Sequence, residues 1–116
     1  MNINFQADRD ISDVESLKNI CKNTENEVCG FLIKNSDSNK YDFIQRKNVH
    51  PDPIHHFLID PKDSFFDKEI IVFHSHGLKC ESGYGFSEDD LENQKFFNMP
   101  MLLYCVYIDR FFYKNI

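Results

Sequence analysis

Apolar and polar positions along this chain alternate in short blocks whose period changes several times. Residues 27–33 (EVCGFLI) are an apolar run opened by a glutamate. In an extended chain alternate residues share a face, so Glu27, Cys29, Phe31 and Ile33 point one way. The polar stretch 34–40 predicts a turn and 41–46 a second strand, which together make a hairpin. Residues 70–73 (IIVF) read as a central strand, and 101–108 as the last long one. Shorter strands are predicted over 1–6 and 57–59, with 111–114 as a terminal partner. Val14, Leu17, Ile20 and Cys21 fall on one helical face, with Ser12 as N-cap and Glu15 completing a capping box. Asp60-Pro61 predicts a second helix start. Ser87 predicts a third, with Asp90 at its third position, Leu91 and Phe97 as core anchors, and 98–100 as its end. Residues 48–57, with two prolines, and 77–86, with three glycines, are predicted loops. The order of elements predicts an α/β protein: a single domain over residues 1–116 with a mixed β-sheet flanked by about three helices.

Composition narrows the picture. The 116 residues suit one domain with a core that needs no disulfides. Twelve Phe and five Tyr with no Trp predict a core rich in aromatics. A net charge of -6, with Lys and Arg scattered among acids, argues against nucleic acid as a partner. No apolar run reaches the ~20 residues of a membrane span, and no signal-peptide pattern is present, so a cytoplasmic location is expected. Cys21, Cys29, Cys80 and Cys105 form no C-x-x-C pair, so neither a disulfide framework nor a four-cysteine zinc site is expected. Cys29 and Cys105 lie in apolar runs and read as core residues.

The chemistry concentrates in His74-Ser75-His76 at the end of the 70–73 run. Residues i and i+2 of a strand face the same side, so both imidazoles reach one ion. Asp90, from the first turn of the following helix, supplies a carboxylate. Two imidazoles and a carboxylate suit zinc with one position left open, and such an ion lowers the pKa of bound water to about 7. Glu27 is then the general base, and Ser87 the hydrogen-bond donor to the oxyanion. Plainer roles exist for each group: Ser87 as N-cap, Asp90 as an acid on the helix dipole, Glu27 as a solvent-facing strand start. Ser75 points away from the ligands and reads as structural. His50, His55 and His56 read as groove-lining or exposed. Cys80 reads as a loop thiol, with a sharper alternative in which its thiolate occupies the open position on zinc.

The combination of Glu27 on an early strand, His74-Ser75-His76, a loop and Ser87-x-x-Asp90 resembles the JAMM (MPN-plus) metalloprotease family across roughly residues 10–114. The resemblance implies a cytidine-deaminase-like fold, one Zn2+ per chain held by His74, His76 and Asp90, and hydrolysis of an amide or isopeptide bond with Glu27 and Ser87 catalytic. NVHPDPIHHFLIDPKD, Ser87-Glu88-Asp89-Asp90 and Asn98-Met99-Pro100 are similar to stretches of the JAMM domain in tail-assembly proteins of tailed phages. That likeness implies a role in phage tail assembly or cell-wall peptide cleavage, with tail proteins as partners, in the host cytoplasm or the virion. Two departures stand out. Gly77 replaces a proline usual after the second histidine, and the ten residues between His76 and Ser87 exceed the usual loop. Two other functions compete: an isopeptidase removing a ubiquitin-like or sulfur-carrier protein, and a non-catalytic tail component braced by zinc.

Overall fold

The computed structural model describes residues 5–63, 69–77 and 85–116. It is a compact single-domain α/β structure with a five-stranded mixed sheet and three helices. In chain order the elements are α1 (Ala7–Asp10), α2 (Val14–Lys22), β1 (Cys29–Lys34), β2 (Tyr41–Arg46), β3 (Ile70–His76), α3 (Glu88–Phe97), β4 (Met101–Cys105) and β5 (Arg110–Lys114). The strand order is β2-β1-β3-β4-β5. All neighbours are antiparallel except β3 and β4, whose parallel pairing requires a crossover, and α3 lies in it.

Strand β3 is buried along its whole length, and its alternation divides the molecule into layers. Ile71 and Phe73 face a cluster with Leu17 and Cys21 of α2, Leu32, Leu102 and Tyr104. Ile70 and Val72 face the opposite cluster with Phe31, Phe57, Phe97, Met99 and Met101. Helix α2 therefore covers one face of the sheet, while α3 and the 57–59 segment cover the other. By parity His74 and His76 belong to the α3 face and Ser75 to the α2 face. The expected face of β1 holds too: Cys29 and Phe31 are buried in the α3-side cluster, with Ile33 against it. At Gly30 an added Cβ would run into the Ile44 carbonyl oxygen and approach the Phe43 ring to 2.9 Å. Backbone cannot yield as a side-chain end does, so Gly30→Ala is expected to cost about 3 kcal/mol. A lowered denaturation midpoint at unchanged slope would register it.

Several elements differ from their sequence-based expectation, each for a local reason. Residues 1–4 of the expected first strand lie outside the described residues, and Phe5 and Gln6 are not in the sheet; the chain instead turns into α1. The cap of α2 is Asp13, which accepts from Ser16 N, and not Ser12. Ser12 is engaged elsewhere: its hydroxyl donates to Asp42 at 2.6 Å and its N–H to the Tyr41 carbonyl at 2.9 Å. The 57–59 segment is not a strand, because the Leu58 N–H goes to the Asn48 side chain instead of a strand partner. Pro61 opens only a 3-10 turn (Pro61–Asp63), and the rest of that expected helix lies outside the described residues. Strand β4 stops at Cys105, and Val106–Ile108 form a 3-10 turn closed by Asp109 in the left-handed region (φ 51). The Tyr104 hydroxyl donates to Asp109 at 2.6 Å across that turn. Leu91 is only half-buried; Asp90, Gln94 and Phe97 are the buried positions of α3. No helix among the described residues is long and apolar enough to cross a membrane.

Candidate metal centre

The carboxyl ends of the parallel pair β3 and β4 mark where an open α/β sheet ordinarily binds its ligands. His74 and His76 lie at that end of β3. His74 pairs with Cys29 across β1 and His76 with Cys105 across β4, so the sheet fixes both backbones. Asp90 enters from the first turn of α3, on the same side. Glu27 arrives from the segment just before β1. These four side chains are 0–4% exposed. Each offers one ligand atom, and the four atoms lie within 4.8 Å of one another, so the cluster could hold a metal ion.

The polar atoms within the cluster are not satisfied by protein alone. His74 Nε2 stands 2.9 Å from Asp90 Oδ1, and His76 Nε2 stands 3.2 Å from Asp90 Oδ2. The first contact is short yet out of line for an N–H donor, so His74 Nε2 lacks a hydrogen-bond partner, as do His74 Nδ1, His76 Nδ1 and Glu27 Oε1. Buried polar atoms are nearly always paired in folded proteins. Converging ring nitrogens and carboxylate oxygens without aligned protons are the donor set that a divalent cation with N and O ligands accepts. The residues present therefore fit a metal.

Burial dominates the electrostatics of the cluster. Burial, followed by the charges of Asp90, Asp52 and Asp89, pushes the Glu27 carboxyl up to about 9. Burial raises the Asp90 pKa, but the close contacts of its carboxylate with His74 and His76 outweigh it and hold Asp90 well below the usual carboxylate range. Burial lowers the pKa of His74. A carboxyl whose folded pKa lies above its unfolded value stabilises fully only below the unfolded value, here 4.5, and that contribution is lost as pH rises through about 9. His74 works in the opposite sense, since its lowered pKa costs stability below 6.5. Metal-free protein is therefore expected to lose stability from pH 6.5 to 9, at no more than about 1.4 kcal/mol per pH unit. Melting curves in excess chelator check this, and Glu27→Gln should flatten the slope.

Asp90 has two tasks at once. Its carboxylate accepts the Ser87 N–H at 2.8 Å while Ser87 Oγ accepts the Asp90 N–H at 3.1 Å, a reciprocal capping box at the start of α3. Capping fixes the rotamer that presents the carboxylate to the two imidazoles. Ser87 Oγ accepts one bond here, so its own proton is still available to donate. Ser75, on the opposite face of β3, accepts the Val28 N–H at 2.8 Å, and its own N–H donates to the Val28 carbonyl at 2.9 Å. This double link ties the residue after Glu27 to the residue between the histidines. Ser75→Ala leaves a buried N–H unsatisfied and is expected to cost about 1–3 kcal/mol. Denaturant titration would measure the loss, and metal content should stay unchanged.

A cleft of about 370 Å³ opens beside Asp90 and is lined by His50, His56, Phe57, Leu58, Asp89 and Glu92, among others. Of the three histidines expected to line a groove or lie exposed, His50 and His56 line this cleft and His55 is exposed. The Phe57 ring stacks on His74 with centroids 4.6 Å apart and planes 19° apart. At Gly77 an added Cβ would stand 2.9 Å from the Glu25 carbonyl oxygen, so this backbone path leaves no room for a side chain. Cys80 lies outside the described residues. Asn48, the first residue of the Pro-containing loop, was given no role of its own by the sequence reading, yet its side chain bonds to Glu27, His56 and Leu58. No protein-family model matches the chain, and no curated protein matches it as a relative.

Proposed function

We propose that this chain is a zinc-dependent metallopeptidase of JAMM type that hydrolyses a peptide or isopeptide bond. The observation that carries the reading is the convergence of Glu27, His74, His76 and Asp90 in a buried cluster in which both His74 ring nitrogens, His76 Nδ1 and Glu27 Oε1 lack protein hydrogen-bond partners. His74, His76 and Asp90 would hold the ion. When bound, zinc supplies Lewis acidity toward the attacked carbonyl and lowers the pKa of water. Glu27 accepts a proton and returns it to the leaving nitrogen; without the ion, burial holds its carboxyl protonated up to about pH 9, so this role needs the nearby positive charge of the ion to bring the carboxyl back to its ionised form. Ser87 donates its hydroxyl proton to the oxyanion while staying the cap of α3. The cleft beside Asp90 receives one side of the substrate. The phage-tail likeness adds a setting to the proposal: a tail protein or cell-wall peptide as substrate, in host cytoplasm or virion.

A second reading has its own observation. Glu27 falls within the same 4.8 Å radius as the other three groups and offers a fourth ligand atom. Four protein ligands would close the coordination sphere and make the ion a structural brace. The experiment that separates the readings measures zinc content and hydrolysis together, on wild type and Glu27→Gln, against peptide and lysine-isopeptide libraries. Chelator-sensitive cleavage lost in Glu27→Gln, with zinc retained, supports the hydrolase. Zinc lost from Glu27→Gln, and no cleavage by wild type, supports the brace.

A further inference from the structure

We propose that Asn48 is a positioning residue whose side-chain amide locks the main chain of Glu27 to the 50–58 segment, so that the proton acceptor and the cleft wall are held as one unit. The inference rests on the hydrolase reading above. Glu27 precedes β1 by two residues, and the ladder with β2 begins at Cys29 paired with Arg46. Strand β3 reaches the next residue through the Ser75–Val28 links, but the N–H and carbonyl of Glu27 itself are both taken by the loop. Asn48 Nδ2 donates to the Glu27 carbonyl at 3.0 Å, to the His56 carbonyl at 2.9 Å and, more weakly, to the Pro53 carbonyl at 3.4 Å. Its Oδ1 accepts the His50 N–H and the Leu58 N–H, each at 3.1 Å. A primary amide has two N–H donors and two acceptor lone pairs, so its whole capacity is used. The Glu27 N–H completes the attachment by donating to the Pro53 carbonyl at 2.6 Å.

The same segment carries the working surfaces of the cleft. His50, His56, Phe57 and Leu58 line it, and the Phe57 ring rests on His74. One side chain thus sets the base, a wall of the cleft and the ring packed on a metal ligand. Aspartate at this position keeps the acceptor oxygen but has no donors and turns a carboxylate toward three carbonyls. Serine is too short to reach both sides.

The test compares metal-loaded wild type, Asn48→Asp and Asn48→Ala, each below its melting range. The two variants share the loss of donors and differ in charge, so a shared effect is not a charge effect. Zinc content should be unchanged, because the ligands sit on β3 and α3. Amide hydrogen exchange at Glu27, whose N–H does not touch Asn48, should speed up by about tenfold, the scale of one hydrogen bond, while Val72 and Leu103 in the sheet stay protected. Turnover per zinc-loaded molecule should fall by about tenfold to a hundredfold, as expected for a misplaced catalytic group. In a Glu27→Gln background Asn48→Asp should cost almost nothing more in kcat, since the group it positions is gone. Unchanged exchange at Glu27 overturns the proposal, as does unchanged turnover, or an equal loss in the Glu27→Gln background. A wild type that cleaves nothing sinks the hydrolase reading before any variant is made, and exchange at Glu27 then decides by itself whether Asn48 ties that residue to the loop.

Discussion

Wild-type protein purified without added metal is expected to contain one zinc per chain, and His74→Ala none. The reason lies in the donor set: removing one of two imidazoles leaves Asp90 and His76, too few groups to compete with water. Stability gives a second measure. A ligand that binds only the folded state at about a hundredfold excess over its Kd adds about 2.7 kcal/mol, so zinc should raise the wild-type melting temperature and leave His74→Ala unmoved. Asp90→Ala is a less clean probe, because it also breaks the capping box with Ser87 and costs about 1 kcal/mol for that reason alone. Asp90→Asn is better. Its amide oxygen still accepts the Ser87 N–H, while the neutral group holds zinc poorly. Zinc retained by both His74→Ala and Asp90→Asn would end the case for this centre.

Glu27→Gln should have the opposite profile: metal kept, hydrolysis lost by a factor of about 10²–10⁴, the usual contribution of a general base. The amide matches the carboxyl in shape but accepts no proton at neutral pH. Glu27 is 2% exposed and its Oε1 lacks a protein partner, so the substitution adds no new steric demand. The metal-free variant should fold at least as well as wild type above neutral pH, because it avoids burying an ionising carboxyl. The decisive comparison is kcat against zinc affinity. A fall in kcat alone makes Glu27 a base; a joint fall with affinity makes it a ligand.

The face assignments were legible from periodicity wherever a strand or helix had one side to bury. Cys29 and Phe31 share the expected face, Glu27 meets the histidines on that side, and Val14, Leu17, Ile20 and Cys21 pack as their helical spacing requires. His74 and His76 followed from the two-residue period of a strand, and Asp90 joined them despite the long loop because the capping box orients it independently of that loop. Less legible were features set by bonds between distant segments. Ser12 had the right chemistry for a cap but serves Asp42, thirty positions away. Residues 57–59 had strand-like composition, yet an asparagine side chain takes the Leu58 N–H. Asn48 shows no periodicity and makes its contacts only after the loop closes. Of the two apolar anchors expected in α3, Phe97 lies in the core and Leu91 is only half-buried; the other two buried positions, Asp90 and Gln94, are polar, and Gln94 donates to the Lys114 carbonyl at 3.1 Å.

The order of pairing in the sheet has a kinetic side. The β1–β2 hairpin is local, but β1–β3 joins Cys29 to His74, and β3–β4 must wait for a helix to cross over. Contacts of such separation form late, because chain entropy is lost before they return any gain. Glu27, the two histidines and Asp90 come from three segments that meet only through those late pairings. Metal uptake during refolding should therefore lag behind hairpin formation and report the last step of assembly, and an ion added early to the unfolded chain should find its ligands scattered.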